Sequence, residues 1–191
     1  MSNRARREIA GFLIAIVTIL SAPQKNLAAA PDMFGKLNLS TYPRATRPPE
    51  FNGSTIDGRT VSLASVDGKV VLLNFWATWC EECRPEMPMF ERLHREFAAQ
   101  GFSVFGINAR ERAATIRAYA NELRLTFPLV LDAKGEINTA YGVVGLPATF
   151  LIGRDGRAVA RAVGPRDWSS ASAKEIIQAL LAEPKLRGNG K

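Results

Sequence analysis

Cys80 and Cys83 are the only cysteines of the chain, and they stand together in the pentapeptide Trp79-Cys80-Glu81-Glu82-Cys83. The pair follows an apolar run, Val70 to Phe75, and opens a helical pattern that extends from about Glu81 to Ala99. A sulfur at a helix N-terminus faces free backbone N–H groups and the positive end of the helix dipole, which lower its pKa and favour the nucleophilic thiolate. On this reading Cys80 attacks and Cys83, one turn further in, resolves. Other uses of such a pair fit less well. A structural zinc site needs four N/S ligands, and two cysteines with the single histidine, His94, cannot supply them. A purely structural disulfide closing so short a loop would stabilise by only about 2 kcal/mol in the chain-entropy picture. Redox dithiol chemistry, needing neither metal nor cofactor, is the expectation.

The surrounding pattern must position that pair. The near-continuous apolar character of Val70 to Phe75 suits a central strand covered on both faces. In the helix that follows, Met87, Phe90, Leu93 and Phe97 form one apolar stripe and His94 lies off it, on the surface. Pro85 fits the first turn, whereas Pro88 is placed deep enough to kink the helix. Upstream, Ile56 to Leu63 carries an Asp57-Gly58 turn between short β-like runs, a hairpin signal. Downstream, Phe102 to Ile107 reads as a strand, Ala113 to Leu123 as a helix, Leu129 to Leu131 as a strand and Glu136 to Tyr141 as a short helix. Val143 to Ile152, a turn at Gly153 to Gly156 and Arg157 to Val163 form an antiparallel hairpin, and Ala173 to Ala182 is the last helix. The alternation predicts an α/β fold with a central mixed β-sheet flanked by helices. Arg110, Arg112 and Arg117, with Glu111 among them, read as the solvated face of a helix.

With 191 residues, 47% hydrophobic and 23% charged, the chain suits one globular domain with some additional chain. That addition is N-terminal: Arg4, Arg6 and Arg7 precede an apolar stretch from Ile9 to Ala22, the layout of an export signal. The stretch is shorter than the roughly 20 residues that span a bilayer. Ala28-Ala29-Ala30 resembles a cleavage site, but Pro31 beyond it suits a peptidase badly, so residues 1–30 read either as a signal peptide or as a short retained anchor. The protein is therefore expected in the periplasm or another extracytoplasmic space, soluble or N-terminally anchored. Residues 31–50, rich in Pro, Ser, Thr and Arg, read as a linker, residues 51–183 as the domain and residues 184–191 as a polar tail. The formal charge of +7 is spread along the chain rather than clustered with aromatics, which argues against a nucleic-acid partner.

Strand, Trp-Cys-x-x-Cys, helix and, much later, Gly145-Leu146-Pro147-Ala148-Thr149-Phe150 with its hairpin together resemble the thioredoxin superfamily. Asn74 to Cys80 followed by Arg84-Pro85-Glu86-Met87-Pro88 is similar to the TlpA/ResA branch, extracytoplasmic thiol-disulfide oxidoreductases that include cytochrome c maturation reductases. The resemblance covers about Phe51 to Ala182 and implies a thioredoxin-like fold with an N-terminal β-hairpin extension and a central helical insertion. It also implies a cis bond at Pro147 beside the dithiol, and a substrate-facing surface made by Trp79, Leu146 and Pro147. Protein disulfides would be the substrates, a membrane thiol carrier of the CcdA or DsbD kind the electron donor, and the protein a monomer.

Two departures from the superfamily pattern bear on mechanism. Thioredoxin has a buried Asp where this chain has Asn74, which cannot accept a proton; Glu86, three residues beyond Cys83 and on the same helix face, is the candidate base. Glu82 stands where most relatives have proline. With Glu81 it places negative charge beside Cys80, which disfavours the thiolate and makes the couple less oxidising. The expected direction is reduction of other proteins' disulfides. A disulfide-introducing oxidant and a copper-binding chaperone of the Sco kind are the alternatives; the second needs a distant histidine, and none follows His94. A peroxidase would need Thr-x-x-Cys, which Thr78-Trp79-Cys80 does not match.

Overall fold

A computed structural model of the chain describes residues 31–185. The expectation for residues 1–30 lies outside them. Helices α1 (Pro31–Gly35), α2 (Glu86–Phe97), α3 (Ala113–Leu123), α4 (Glu136–Ala140) and α5 (Ala171–Ala182) accompany eight strands. These are β1 (Ser40–Thr46), β2 (Asn52–Ser54), β3 (Thr60–Ser62), β4 (Val70–Trp76), β5 (Phe102–Ala109), β6 (Leu129–Asp132), β7 (Ala148–Ile152) and β8 (Ala158–Val163). Six of them form one sheet in the order β1-β8-β7-β4-β5-β6, while β2 and β3 pair separately as the expected hairpin. The β4, β5 and β6 strands run parallel, and β7, β8 and β1 alternate antiparallel, so the sheet is mixed as the sequence predicts.

Every residue of β4 is buried, and its pleat divides the core in two. Val70, Leu72 and Trp76 face one side, packed with Met87, Phe90, Leu93 and Phe97 of α2, Ile116 of α3 and Ile176, Ile177 and Leu180 of α5. Val71, Leu73 and Phe75 face the other, with Phe51, Phe105, Tyr141 and Phe150. Trp76 lies against Gly106 of the neighbouring strand, where a Cβ would stand 2.9 Å from the indole Nε1, so a side chain at 106 would displace the ring.

Three expectations are corrected. Residues 31–50 are not a bare linker: Phe34, Leu37 and Leu39 are buried and β1 pairs with β8 at the sheet edge. The register shifts between Thr41 and Thr46, around Pro43, and an edge strand tolerates the missing N–H. The helix after the cysteines begins at Glu86, not Glu81, because residues 80–86 are chained by i→i+3 hydrogen bonds that Pro85 and Pro88 do not let relax into a regular helix. Pro88 consequently falls in the first turn of α2 and kinks nothing. His94 is half-buried, its ring edge-on to Phe127, rather than on the surface.

The remaining edge, β6, does not lie bare. Thr55 forms an isolated bridge to Val130, and Ile56 N–H donates to the Leu129 carbonyl at 3.0 Å, so the hairpin turn caps that side of the sheet.

Candidate functional site

The C-terminal ends of β4, β5 and β6 and the start of β7 lie at the same end of the sheet, since Trp76 is opposite Asn108, Ala109 opposite Asp132 and Phe75 opposite Ala148. Chain leaving these strands makes the rim of an open crevice, the usual ligand position in an α/β sheet. A groove of about 550 Å³ lies there, lined by Trp79, Cys80, Glu81 and Glu82 on one side and by Arg110, Val144 and Leu146 on the other. Trp79 is 67% exposed and Val144 95%, an unusual display of large apolar groups beside a sulfur.

Cys80 and Cys83 are joined by a disulfide. Cys80 keeps 7% of its surface exposed and Cys83 none, so an incoming group reaches Cys80. The Cys83 N–H donates to the Cys80 sulfur at 3.2 Å, an interaction that would favour negative charge on that sulfur once the bond is open. The Leu146–Pro147 peptide is cis, with Leu146 at the groove and Pro147 buried behind it.

Glu86 is not a surface carboxylate. It is 1% exposed, and its Oε1 accepts from the Arg166 backbone N–H at 2.9 Å and from Trp168 Nε1 at 2.7 Å. Its Oε2 is buried with no hydrogen-bond partner among the described residues. Burial pushes its pKa up to about 7, against the opposing pull of those two donors and of the Arg166 charge. The Glu86 N–H bonds the Cys83 carbonyl at 3.1 Å, tying the acid to the turn that carries the inner sulfur. Asn74 is also buried; its Nδ2 donates to Thr149 Oγ1 at 3.1 Å, and its Oδ1 has no partner among the described residues.

Residues 45–161, more than half of the chain, match the AhpC/TSA family. The chain belongs to that family. Among curated members it is 39% identical over 109 residues to the thiol-disulfide oxidoreductase ResA of Geobacillus thermodenitrificans, covering 57% of this chain and 63% of that protein, so the chain spans less than two thirds of this relative's length. ResA of Bacillus subtilis is 32% identical over 149 residues, covering 78% of this chain and 79% of the relative. Among solved structures, a thiol:disulfide interchange protein of the thioredoxin family from Chlorobium tepidum superposes with a TM-score of 0.67 at 30% identity, over 74% of this chain and 99% of that one. The thioredoxin-like fold expected from the sequence is the fold of this family's members.

One residue at the site escaped the sequence reading. Glu111 is no part of a helix face: α3 starts at Ala113, and Arg110 adopts a left-handed conformation, φ 63°, that turns the chain back toward the sheet. The Glu111 carboxylate accepts from the Thr78 N–H at 2.7 Å, from the Thr78 hydroxyl and from Asn108 Nδ2 at 2.7 Å. No local pattern announces a contact between residues 33 positions apart.

Proposed function

We propose that the chain is an extracytoplasmic thiol-disulfide oxidoreductase that reduces disulfides of other proteins, with Cys80 and Cys83 as the working pair. The observation that carries this is the bonded Cys80–Cys83 pair with only its outer sulfur open to a groove. In the reduced protein, Cys80 thiolate attacks a substrate disulfide; one substrate sulfur leaves as thiolate and takes up a proton, and a Cys80–substrate mixed disulfide remains. Cys83 then gives up its proton, with Glu86 as acceptor, and attacks Cys80 Sγ. The second substrate sulfur leaves as thiolate and takes the proton that Glu86 received from Cys83, so two electrons have passed to the substrate with one proton from Cys83 and one from solvent. Trp79 and Leu146 present the surface against which the substrate segment lies, and Pro147, expected there from the resemblance, is buried and backs Leu146 from behind.

Glu81 and Glu82 beside Cys80 support the reductive direction, since like charge raises the free energy of the thiolate. Returning the pair to the dithiol needs two electrons from outside the chain. Similarity to ResA proteins supports a membrane thiol carrier of the CcdA or DsbD kind as donor, and apocytochrome c or copper-site cysteines as substrates. The reduction potential of the Cys80–Cys83 pair tests the direction. It is expected below roughly −220 mV, nearer to thioredoxin than to the strong oxidants. A value near −120 mV would reverse donor and acceptor.

A further inference from the structure

Thr78 stands where β4 has ended and the cysteine turn has not begun. Its N–H and its hydroxyl both point to one carboxylate, that of Glu111, each to a different oxygen. The same Glu111 oxygen that takes the Thr78 N–H takes Nδ2 of Asn108, a side chain with no exposed surface. Among the described residues no cation lies within ion-pair distance of Glu111, so three donors aimed from fixed backbone hold it in place. The contact joins the two walls of the groove. On one side Thr78 leads directly into Trp79 and Cys80; on the other, Glu111 follows Arg110. It contains no sulfur, so opening the Cys80–Cys83 bond leaves it intact.

We propose that Glu111 is a positioning residue that holds Thr78, and through it Trp79 and Cys80, at the spacing from Arg110, Val144 and Leu146 that an extended protein segment requires. This rests on the reductase reading above. A small disulfide needs only the Cys80 sulfur, whereas a protein disulfide must also lie between the two walls. Loss of the grip therefore acts on the comparison between the two substrates more than on sulfur reactivity.

The test takes the reduced full chain in single-turnover reactions with substrate in excess, and compares the apparent second-order rate constant for insulin with that for hydroxyethyl disulfide. In Thr78→Val, which loses one of the three bonds, the insulin-to-small-disulfide ratio is expected to fall about tenfold, the scale of one lost hydrogen bond to a charged group, and in Glu111→Ala, which loses all three, by at least as much, chiefly through a higher half-saturating insulin concentration. Thr78→Ser, which restores both donors, should return the ratio to that of the parent. Should Glu111→Ala not fold, Thr78→Val carries the comparison, since it removes one donor and leaves the carboxylate. An unchanged ratio, or a parallel fall with both substrates, would overturn the proposal. A parent protein active on neither disulfide would overturn the reductase reading itself, and this inference with it.

Discussion

Among the described residues, Glu86 has two donors on one carboxylate oxygen and none on the other, buried one, so ionising it inside the protein is expensive and useful at once. Its raised pKa, about 7, means that the folded protein holds this proton more tightly than the unfolded chain does. The energetic consequence has a definite sign: burial is harmless below the ordinary carboxylate pKa, and the penalty grows as pH rises from there to about 7. Glu86→Gln should therefore gain stability relative to the parent over that window, up to about 3 kcal/mol, as read from urea unfolding at pH 4 and pH 8. In the same variant the resolving step should slow by roughly 10²-fold, because the amide cannot take the Cys83 proton, while attack by Cys80 suffers less. Stopped-flow reduction of a disulfide peptide across pH separates the two; matching profiles for parent and variant would remove Glu86 from the chemistry. The roles of the sulfurs are separable too. Cys83→Ser should leave substrates attached through Cys80 on non-reducing gels, whereas Cys80→Ser should trap none, because only Cys80 reaches solvent. At this scale the sequence announced the dithiol, since both cysteines and their setting are local. It singled out Glu86 by assuming one helix face shared with Cys83, whereas α2 starts at Glu86 and the two are linked through the turn before it; the burial of Glu86 depends on Arg166 and Trp168, some 80 residues away, which no local pattern reveals.

At the scale of elements, β1 separates what was legible from what was not. The long strand β4 follows from its continuous apolar run, being covered on both faces, and α3 from the helical spacing of Ile116, Tyr119 and Ala120. The β1 segment has a proline, no apolar alternation and a register shift, so it pairs only because the β8 edge offers unused hydrogen-bonding groups. Its anchor is the preceding Phe34, Leu37 and Leu39, all buried. A chain beginning after Thr46 should lose these contacts, each worth about 1.5–3 kcal/mol, and unfold at clearly lower urea concentration than one beginning at Pro31. Equal midpoints would show that β1 is an ornament of the domain. The proline pair of α2 makes a related point: with no donors at residues 85 and 88, the cysteine turn stays outside the regular helix, and Cys83 sits ahead of the helix rather than inside it.

For the molecule as a whole, strands, cysteine turn and cis-proline loop meet at one end of the sheet, while residues 31–185 hold the complete six-stranded layer. Removal of residues 1–30 should accordingly leave a folded protein that still reduces insulin; if only the full chain does so, that segment belongs to the working unit. The two borders of the sheet carry a different consequence. One border is a proline-containing, irregular strand and the other is capped by the Thr55–Ile56 turn, so neither presents a long row of free N–H and carbonyl groups. On the proposed reading, the partners are chains whose disulfides are open, with backbone free to join a strand. Blunted borders would then leave such chains the groove rather than a free edge to pair with.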